Sequence, residues 1–209
     1  MKEKLAKVKV ILFDWDGVFH AGHKNENRSS SFSEADSMGV NMLRFGFWLQ
    51  NEKMPITAII SGENNPTAKY WAEREHLDAT FSKAKNKVEI LAFLKEKHDV
   101  AADEVMFVYD DILDLSLAKE VAHRVMINRN ANPLFIEYCR EKGYYDFLTK
   151  NDGGNHGVRE ACELTLDAMG KFEETIEKRV AFSGEYSKYN TERLALTTSH
   201  FLSKDGTFE

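Results

Sequence analysis

Lys7 to Phe13 (KVKVILF) is a short run of β-branched and aliphatic residues that gives way at once to Asp14, Asp16 and Gly17. Such a run fits a strand buried on both faces of a parallel sheet. The pattern recurs. Ile56 to Ile60 (ITAII) ends at Ser61-Gly62, Val105 to Tyr109 (VMFVY) ends at Asp110-Asp111, and Arg124 to Ile127 (RVMI) ends at Asn128. Helix patterns alternate with these runs. They cover Ser37 to Glu52, Pro66 to Glu75 with Asn65 as cap, Val88 to Lys97, Leu115 to Ala122, Pro133 to Lys142 closed by Gly143, and Val158 to about Val180. This alternation predicts right-handed βαβ crossovers and an α/β fold, a Rossmann-like doubly wound parallel sheet. Ligands of such sheets bind outside the carboxyl ends of the strands, where the polar signals of this chain gather.

With 209 residues, 43% apolar and 30% charged, the chain has the composition of one folded domain with at most an appendage. Its net charge of −6 offers no basic footprint for nucleic acid, so no nucleic-acid partner is expected. The apolar run Val10 to Phe13 is far too short for a membrane span or signal peptide, and Cys139 and Cys162 are read as small buried groups in a reducing compartment. A cytoplasmic protein without a membrane partner is expected. Two stretches break the rhythm. Phe19 to Glu34 is polar, holds two His and three consecutive Ser, and reads as a loop or short β-hairpin flap beside the first strand end. Ala181 to Glu209 carries Phe182, Tyr186, Tyr189, Leu194, Leu196, Phe201 and Phe208, too apolar for a solvated tail. The expected division is a domain over 1–180 and a tail over 181–209 that docks on the core or on a neighbouring subunit.

Asp14-Trp15-Asp16-Gly17 is the sharpest chemical signal. Two carboxylates two residues apart can face one crevice here, because the chain turns at the strand end and Gly17 frees the backbone. Taken alone, the pair is also compatible with a turn bearing solvated acids. Ser61-Gly62, Lys87 after Asn86, Asp110-Asp111 and Asp114 supply the remaining parts of a phosphoryl-transfer site. One carboxylate can serve as nucleophile, a second can give and take a proton, and a hydroxyl with a Lys can hold phosphate oxygens. Acids converging on a phosphate ester also require a cation, and Mg²⁺ is suited to a site of carboxylates and carbonyls.

Four motifs in order, FDWDG (Phe13 to Gly17), IISG (Ile59 to Gly62), NK (Asn86, Lys87) and VYDDILD (Val108 to Asp114), make the chain resemble the haloacid dehalogenase-like phosphatases. Asp36 to Val40 (DSMGV) and Gly153-Gly154 followed by Gly157 to Cys162 (GVREAC) resemble, within them, the 3-deoxy-D-manno-octulosonate 8-phosphate and N-acylneuraminate 9-phosphate phosphatase subfamily. The resemblance spans about Val8 to Lys178. It implies Asp14 as nucleophile and first Mg²⁺ ligand, and Asp16 as general acid/base with its carbonyl on the metal. It further implies Ser61, Gly62 and Lys87 as the phosphate site, and Asp110 as a metal ligand supported by Asp111. The implied substrate is a small phosphorylated sugar or sugar acid. Only 44 residues separate Asp16 from Ser61 and 25 separate Ser61 from Lys87, too few for a large cap domain. The resemblance therefore implies a capless homotetramer in which a neighbour's flap and tail cover an open site.

The departures bear on the substrate. His20-Ala21-Gly22 stands where the family usually has Thr-Asp-Gly, and Tyr109 where it has Gly. Asn155-His156 replaces its Arg after the paired Gly, and Ala35 its Arg before Asp36. Groups expected to touch a sugar acid are thereby lost, so a phosphatase for another small phosphorylated sugar stands beside the first reading. A catalytically silent regulatory module of the same fold is a third. His20 and His23, on the polar flap, are expected to be exposed, and His156 is left open as a substrate contact. Lys83 and Lys85 compete with Lys87, which is preferred for following a candidate cap.

Overall fold

The computed structural model of the chain describes residues 1–26, 29–182 and 184–209. In chain order its strands are β1 (Val10–Phe13), β2 (Ile56–Ile60), β3 (Ala79–Ser82), β4 (Val105–Tyr109), β5 (His123–Asn128), β6 (Phe147–Asp152), β7 (Ser199–Lys204) and β8 (Thr207–Phe208). The helices are α1 (Lys2–Ala6), α2 (Glu34–Asn51), α3 (Pro66–Arg74), α4 (Ile90–His98), α5 (Leu115–Ala118), α6 (Pro133–Lys142), α7 (Gly157–Met169), α8 (Phe172–Ala181) and α9 (Glu185–Leu194). The strands form one sheet in the order β6-β5-β4-β1-β2-β3-β7-β8, parallel throughout except for the terminal β7–β8 pair.

β1 is the centre of the sheet, and Val10, Ile11, Leu12 and Phe13 are all fully buried. Its side chains alternate between two cores, as the two-residue period of a strand requires. Ile11 and Phe13 join Ile59, Met106 and Val108 under α2, α3 and α7, whereas Val10 and Leu12 join Ala58, Ile60 and Phe107 under α4, α5 and α6. Helices therefore cover both faces of a doubly wound sheet. From β1 the chain runs outward through β2 and β3, then crosses back to β4 on the other side of β1, so the winding direction switches at β1 and opens a crevice at its carboxyl end. No helix among the described residues is long and apolar enough to cross a membrane.

Several local expectations change. The first strand begins only at Val10, because Lys2–Ala6 is helical with Leu5 buried. β3 and β6 were not legible: ATFS is short and weakly apolar, and FLTKND is too polar to resemble a buried strand. The long helix expected after Val158 divides at Gly170, whose φ of 70° lies in the left-handed region that glycine enters without steric cost. No strand pair forms among the described residues of the expected hairpin flap, which is a loop held to the rest of the protein by side chains; Asn27 and Arg28 lie outside the described residues.

The described residues from α9 onward pack on the chain's own core. Tyr186 and Tyr189 of α9 are buried with ring centroids 5.0 Å from Phe45, and the Tyr189 hydroxyl donates to Asn41 Oδ1 at 2.8 Å. β7 extends the parallel sheet beyond β3, placing Phe201 in a stack on Phe81.

Candidate active site

Asp14 and Asp110 follow directly on β1 and β4, adjacent parallel strands, and the Asp14 amide donates to the Val108 carbonyl at 2.9 Å. Asp114 comes back toward them on the 3₁₀ turn Ile112–Asp114. One carboxylate oxygen from each of Asp14, Asp110 and Asp114 lies within 4.8 Å of the others, and all three residues are buried. Lys87 enters from the 3₁₀ turn Lys87–Glu89, only 3% exposed, with Nζ 2.5 Å from Asp14 Oδ1 and bonded as well to Asp114 Oδ1. Lys83 and Lys85 are exposed, so the structure separates the three competing lysines by burial. The other oxygen of Asp114 accepts the amide of Asp111 at 3.1 Å, which ties the turn to the lysine.

Ser61 ends β2 one strand away. It is buried, its amide donates to the Phe81 carbonyl, and its Oγ accepts the Glu63 amide at 3.2 Å. Gly62, and not the Ser61 side chain, lines the cavity shared by Asp14 and Lys87, and the space where a Gly62 Cβ would stand is open. Asp16 lies at the mouth and faces the flap: its Oδ1 contacts His20 Nε2 at 3.0 Å, and its Oδ2 accepts from Lys24 Nζ at 2.9 Å. Asp111 caps its own turn through Ile112 and is half-exposed at the rim. The expected exposure of His20 is overturned. The turn over Trp15 to Phe19 carries its ring inward to 2% exposure, where Nδ1 accepts the Gly22 amide at 3.1 Å and Nε2 donates to Asp16. His23 is exposed beside a neighbouring cavity, and His156 contacts Ser33 Oγ at 3.1 Å, at the start of α7.

Sequence reasoning did not assign roles to Asp114 or to Arg129. Asp114 had a signal, its position four residues after Asp110 in a turn, whereas Arg129 stands alone after β5 and had none. Arg129 Nη1 pairs with Asp110 Oδ2 at 2.5 Å and lies 3.6 Å from Asp111 Oδ2.

The charges explain the electrostatics. Burial, and then the Asp114 carboxylate, push the Asp14 carboxyl up to about 7 against the opposing pull of Lys87. Asp110 is raised well above the usual carboxylate range by burial and by Asp14 and Asp114. Burial opposes charge on Lys87, but Asp114 and Asp14 outweigh it and hold the ammonium form. Burial works against ionisation of Asp16 too, yet the bonds from His20 and Lys24 prevail and lower its pKa. The cavity above these groups, about 590 Å³, is lined by six acids against four Lys and Arg side chains. Asp110 Oδ1 is buried and has no hydrogen-bond partner among the described residues. An all-oxygen donor set, converging carboxylates whose ionisation is disfavoured without a cation, and an orphaned carboxylate oxygen fit a hard divalent cation.

No family model matches the chain. The chain is 27% identical over 175 residues to 3-deoxy-D-manno-octulosonate 8-phosphate phosphatase KdsC of Escherichia coli K12, covering 82% of this chain and 86% of the relative. The structure of a probable YrbI family phosphatase from Pseudomonas syringae superposes with a TM-score of 0.69 at 26% identity, covering 88% of this chain and 97% of that one. A 3-deoxy-D-manno-octulosonate 8-phosphate phosphatase from Moraxella catarrhalis, solved with magnesium, phosphate and the sugar acid, shares the fold at a TM-score of 0.68 and 22% identity, covering 85% and 96%. Fold and site together resemble those of the haloacid dehalogenase-like phosphatases, which are phosphoric monoester hydrolases. Within that class the likeness of this sequence is to the KdsC phosphatases.

Proposed function

We propose that this enzyme is a Mg²⁺-dependent phosphatase of a sugar-acid phosphate, of the 3-deoxy-octulosonate 8-phosphate or nonulosonate 9-phosphate kind, working through an aspartyl-phosphate. The observation that carries the reading is the buried convergence of Asp14, Asp110 and Asp114 at the strand ends, with Lys87 bonded to the proposed nucleophile. The substrate class rests on the names of the relatives. Mg²⁺, which the carboxylates of Asp14 and Asp110 and the main-chain carbonyl of Asp16 would hold with Asp111 in support, supplies neutralisation of phosphoryl charge.

Asp14 attacks phosphorus with a carboxylate oxygen while Asp16 gives a proton to the departing sugar oxygen. In the second half Asp16 takes a proton from water, the water oxygen attacks the aspartyl-phosphate, and inorganic phosphate leaves with Asp14 regenerated. Lys87, with Ser61 and the Gly62 main chain, holds the phosphoryl oxygens, and Asp114 fixes the lysine. Asp16 is ionised before substrate arrives. An incoming phosphate dianion raises its pKa and competes for Lys24, so the proton required for the leaving oxygen is favoured once the ester is bound. His20, donating through Nε2, keeps the carboxyl aimed.

Exposed Leu113 lines the cavity next to exposed Ile112, and the flap contributes Gly22 and Lys24 to its wall. A homotetramer in which neighbouring subunits cover these mouths completes the reading. Incubation of the purified protein with phosphorylated metabolites and Mg²⁺, reading released phosphate, tests it. Sugar-acid phosphates are expected to head the ranking, and Asp14→Asn, nearly isosteric, to release none. Undiminished turnover in that variant refutes the mechanism.

A further inference from the structure

Arg129 stands between two cavities. It lines the 590 Å³ active-site cavity, and it also lines a second space of about 500 Å³ bounded by Gly17, Ala21 and His23 on the flap side and by Asn130 and Gly153 to Asn155 on the other. Among the described residues it is the only Lys or Arg lining that second space. Asp152, the one acid there among the described residues, already accepts from Asn128 Nδ2 at 2.6 Å and from Asn130 Nδ2 at 2.7 Å.

The guanidinium is held in place but only partly used. Nη1 is taken by Asp110, whereas Nη2 and Nε make no hydrogen bond among the described residues. Room for the group comes from two glycines, Gly17 before the flap and Gly22 in it. A Cβ on Gly17 would stand 2.7 Å from Nη1, and one on Gly22 would stand 2.7 Å from Nη2, so the flap backbone approaches the guanidinium as only glycine permits. The side chain as a whole is 29% exposed, so the guanidinium is not sealed in the core. A planar fork with unused N–H groups beside the phosphoryl site is the geometry that recognises a carboxylate in bidentate fashion.

We propose that Arg129 is a specificity-determining residue that binds the carboxylate of the sugar acid in the flap-side cavity while the phosphoryl group occupies the Lys87 site. The inference rests on the proposed sugar-acid substrate and deepens it. Asn155, which stands where the resembled family has Arg, lines the same cavity, so Arg129 restores from β5 a positive charge that the Gly153-Gly154 loop lacks.

The test compares wild type with Arg129→Gln and Arg129→Lys on two esters, 3-deoxy-D-manno-octulosonate 8-phosphate and 4-nitrophenyl phosphate, which has no carboxylate. The readout is the ratio of kcat/KM values, in which any effect on the shared phosphoryl chemistry cancels. Loss of a charge-assisted bidentate pair is expected to lower this ratio about 10- to 100-fold in Arg129→Gln, mostly through KM, with Arg129→Lys between the two. Calorimetry of the free sugar acid, without phosphate, on EDTA-treated protein is expected to show a Kd at least about tenfold weaker in Arg129→Gln. A ratio unchanged within about threefold overturns the proposal, even if both activities fall, because the arginine then serves Asp110 or the phosphoryl group. An unchanged Kd for the sugar acid overturns it equally. If wild type releases phosphate from neither ester, the proposed function itself has failed, and the sugar-acid Kd still decides the role of Arg129.

Discussion

Lys87→Met separates the three lysines that compete in the sequence and tests the site as an electrostatic unit. The ammonium is bonded to Asp14 and Asp114 and buried with them, with Asp110 close by. Methionine keeps the length of the side chain and removes its charge, leaving three clustered carboxylates without their buried cation. Breaking a buried ion pair by deleting one partner costs about 3–5 kcal/mol, so metal-free Lys87→Met is expected to lose stability in that range. Loss of one preorganised donor to the transferring charge costs about 10²–10³ in kcat. Urea unfolding in EDTA reads the first quantity, and phosphate release with saturating Mg²⁺ reads the second. Exposed Lys83 changed to Met should stay within about 0.5 kcal/mol of wild type. A Lys87→Met enzyme that keeps more than a tenth of wild-type kcat, or a Lys85→Met enzyme that suffers the hundredfold loss instead, refutes the assignment.

Chelation by EDTA should abolish phosphate release and Mg²⁺ restore it, while Ca²⁺, with longer bonds and more ligands, should bind and support little turnover; full activity after exhaustive chelation contradicts the roles of Asp14 and Asp110. At 100 times its Kd, Mg²⁺ should also stabilise the fold by about 2.7 kcal/mol, a gain that Asp110→Asn should largely remove in thermal unfolding. His123, fully buried at the start of β5, has its pKa lowered to about 4, chiefly by burial and against the pull of Asp146. The unfolded chain takes up this proton near the ordinary value of about 6.5, so the stability held above that pH is lost as pH falls from about 6.5 toward 4, by about 3 kcal/mol in all. His123→Leu should flatten the urea-midpoint profile across that window, and identical slopes in the two proteins would falsify the assignment.

The legible parts of the sequence are those in which a single physical constraint dominates. β1, β2 and β4 are buried on both faces, so VILF, ITAII and VMFVY read as strands without help from context, and the acids at their ends locate the crevice. β3, β6 and β7 hold their places through partners instead. ATFS is a strand because β2 and β7 flank it, and SHFLSK is half-exposed at the sheet margin. Within the site, Asp14 and Asp110 stood out as the acids that end strands, whereas the expected cap before Lys87 does not form: Asn86 makes no side-chain cap bond, and Lys87 opens a 3₁₀ turn. Arg129 was not legible, since only the tertiary approach of Gly17 and Gly22 to β5 makes room for it. His20 was misread because polarity along the flap conceals that one turn of it points inward.

That inward turn shows how the fold positions the reacting carboxyls. In Asp14-Trp15-Asp16 the Trp15 side chain leaves the crevice and enters the core beneath the flap. There it stacks on Phe19 with centroids 4.8 Å apart, and Phe19 lies 4.5 Å from Trp71 of α3. Each indole finds a hydroxyl, Trp15 Nε1 donating to Ser30 at 2.9 Å and Trp71 Nε1 to Ser37 at 2.8 Å. All three rings are almost fully buried. Aromatic pairs of this kind contribute about 0.5–1.5 kcal/mol each beyond the area they bury, enough to fix a loop that has no strand pairing of its own. The polar face of the same turn presents Asp16 and His20, so the packing that anchors the flap root also sets the acid/base carboxyl at the mouth of the cavity. Three buried carboxylates repel one another and oppose folding locally. The central strands resist that repulsion because β1 and β4 are held by neighbours on both sides, and their ends have little freedom to move apart. The cluster is therefore kept in the arrangement that a divalent cation and a phosphate ester together would relieve.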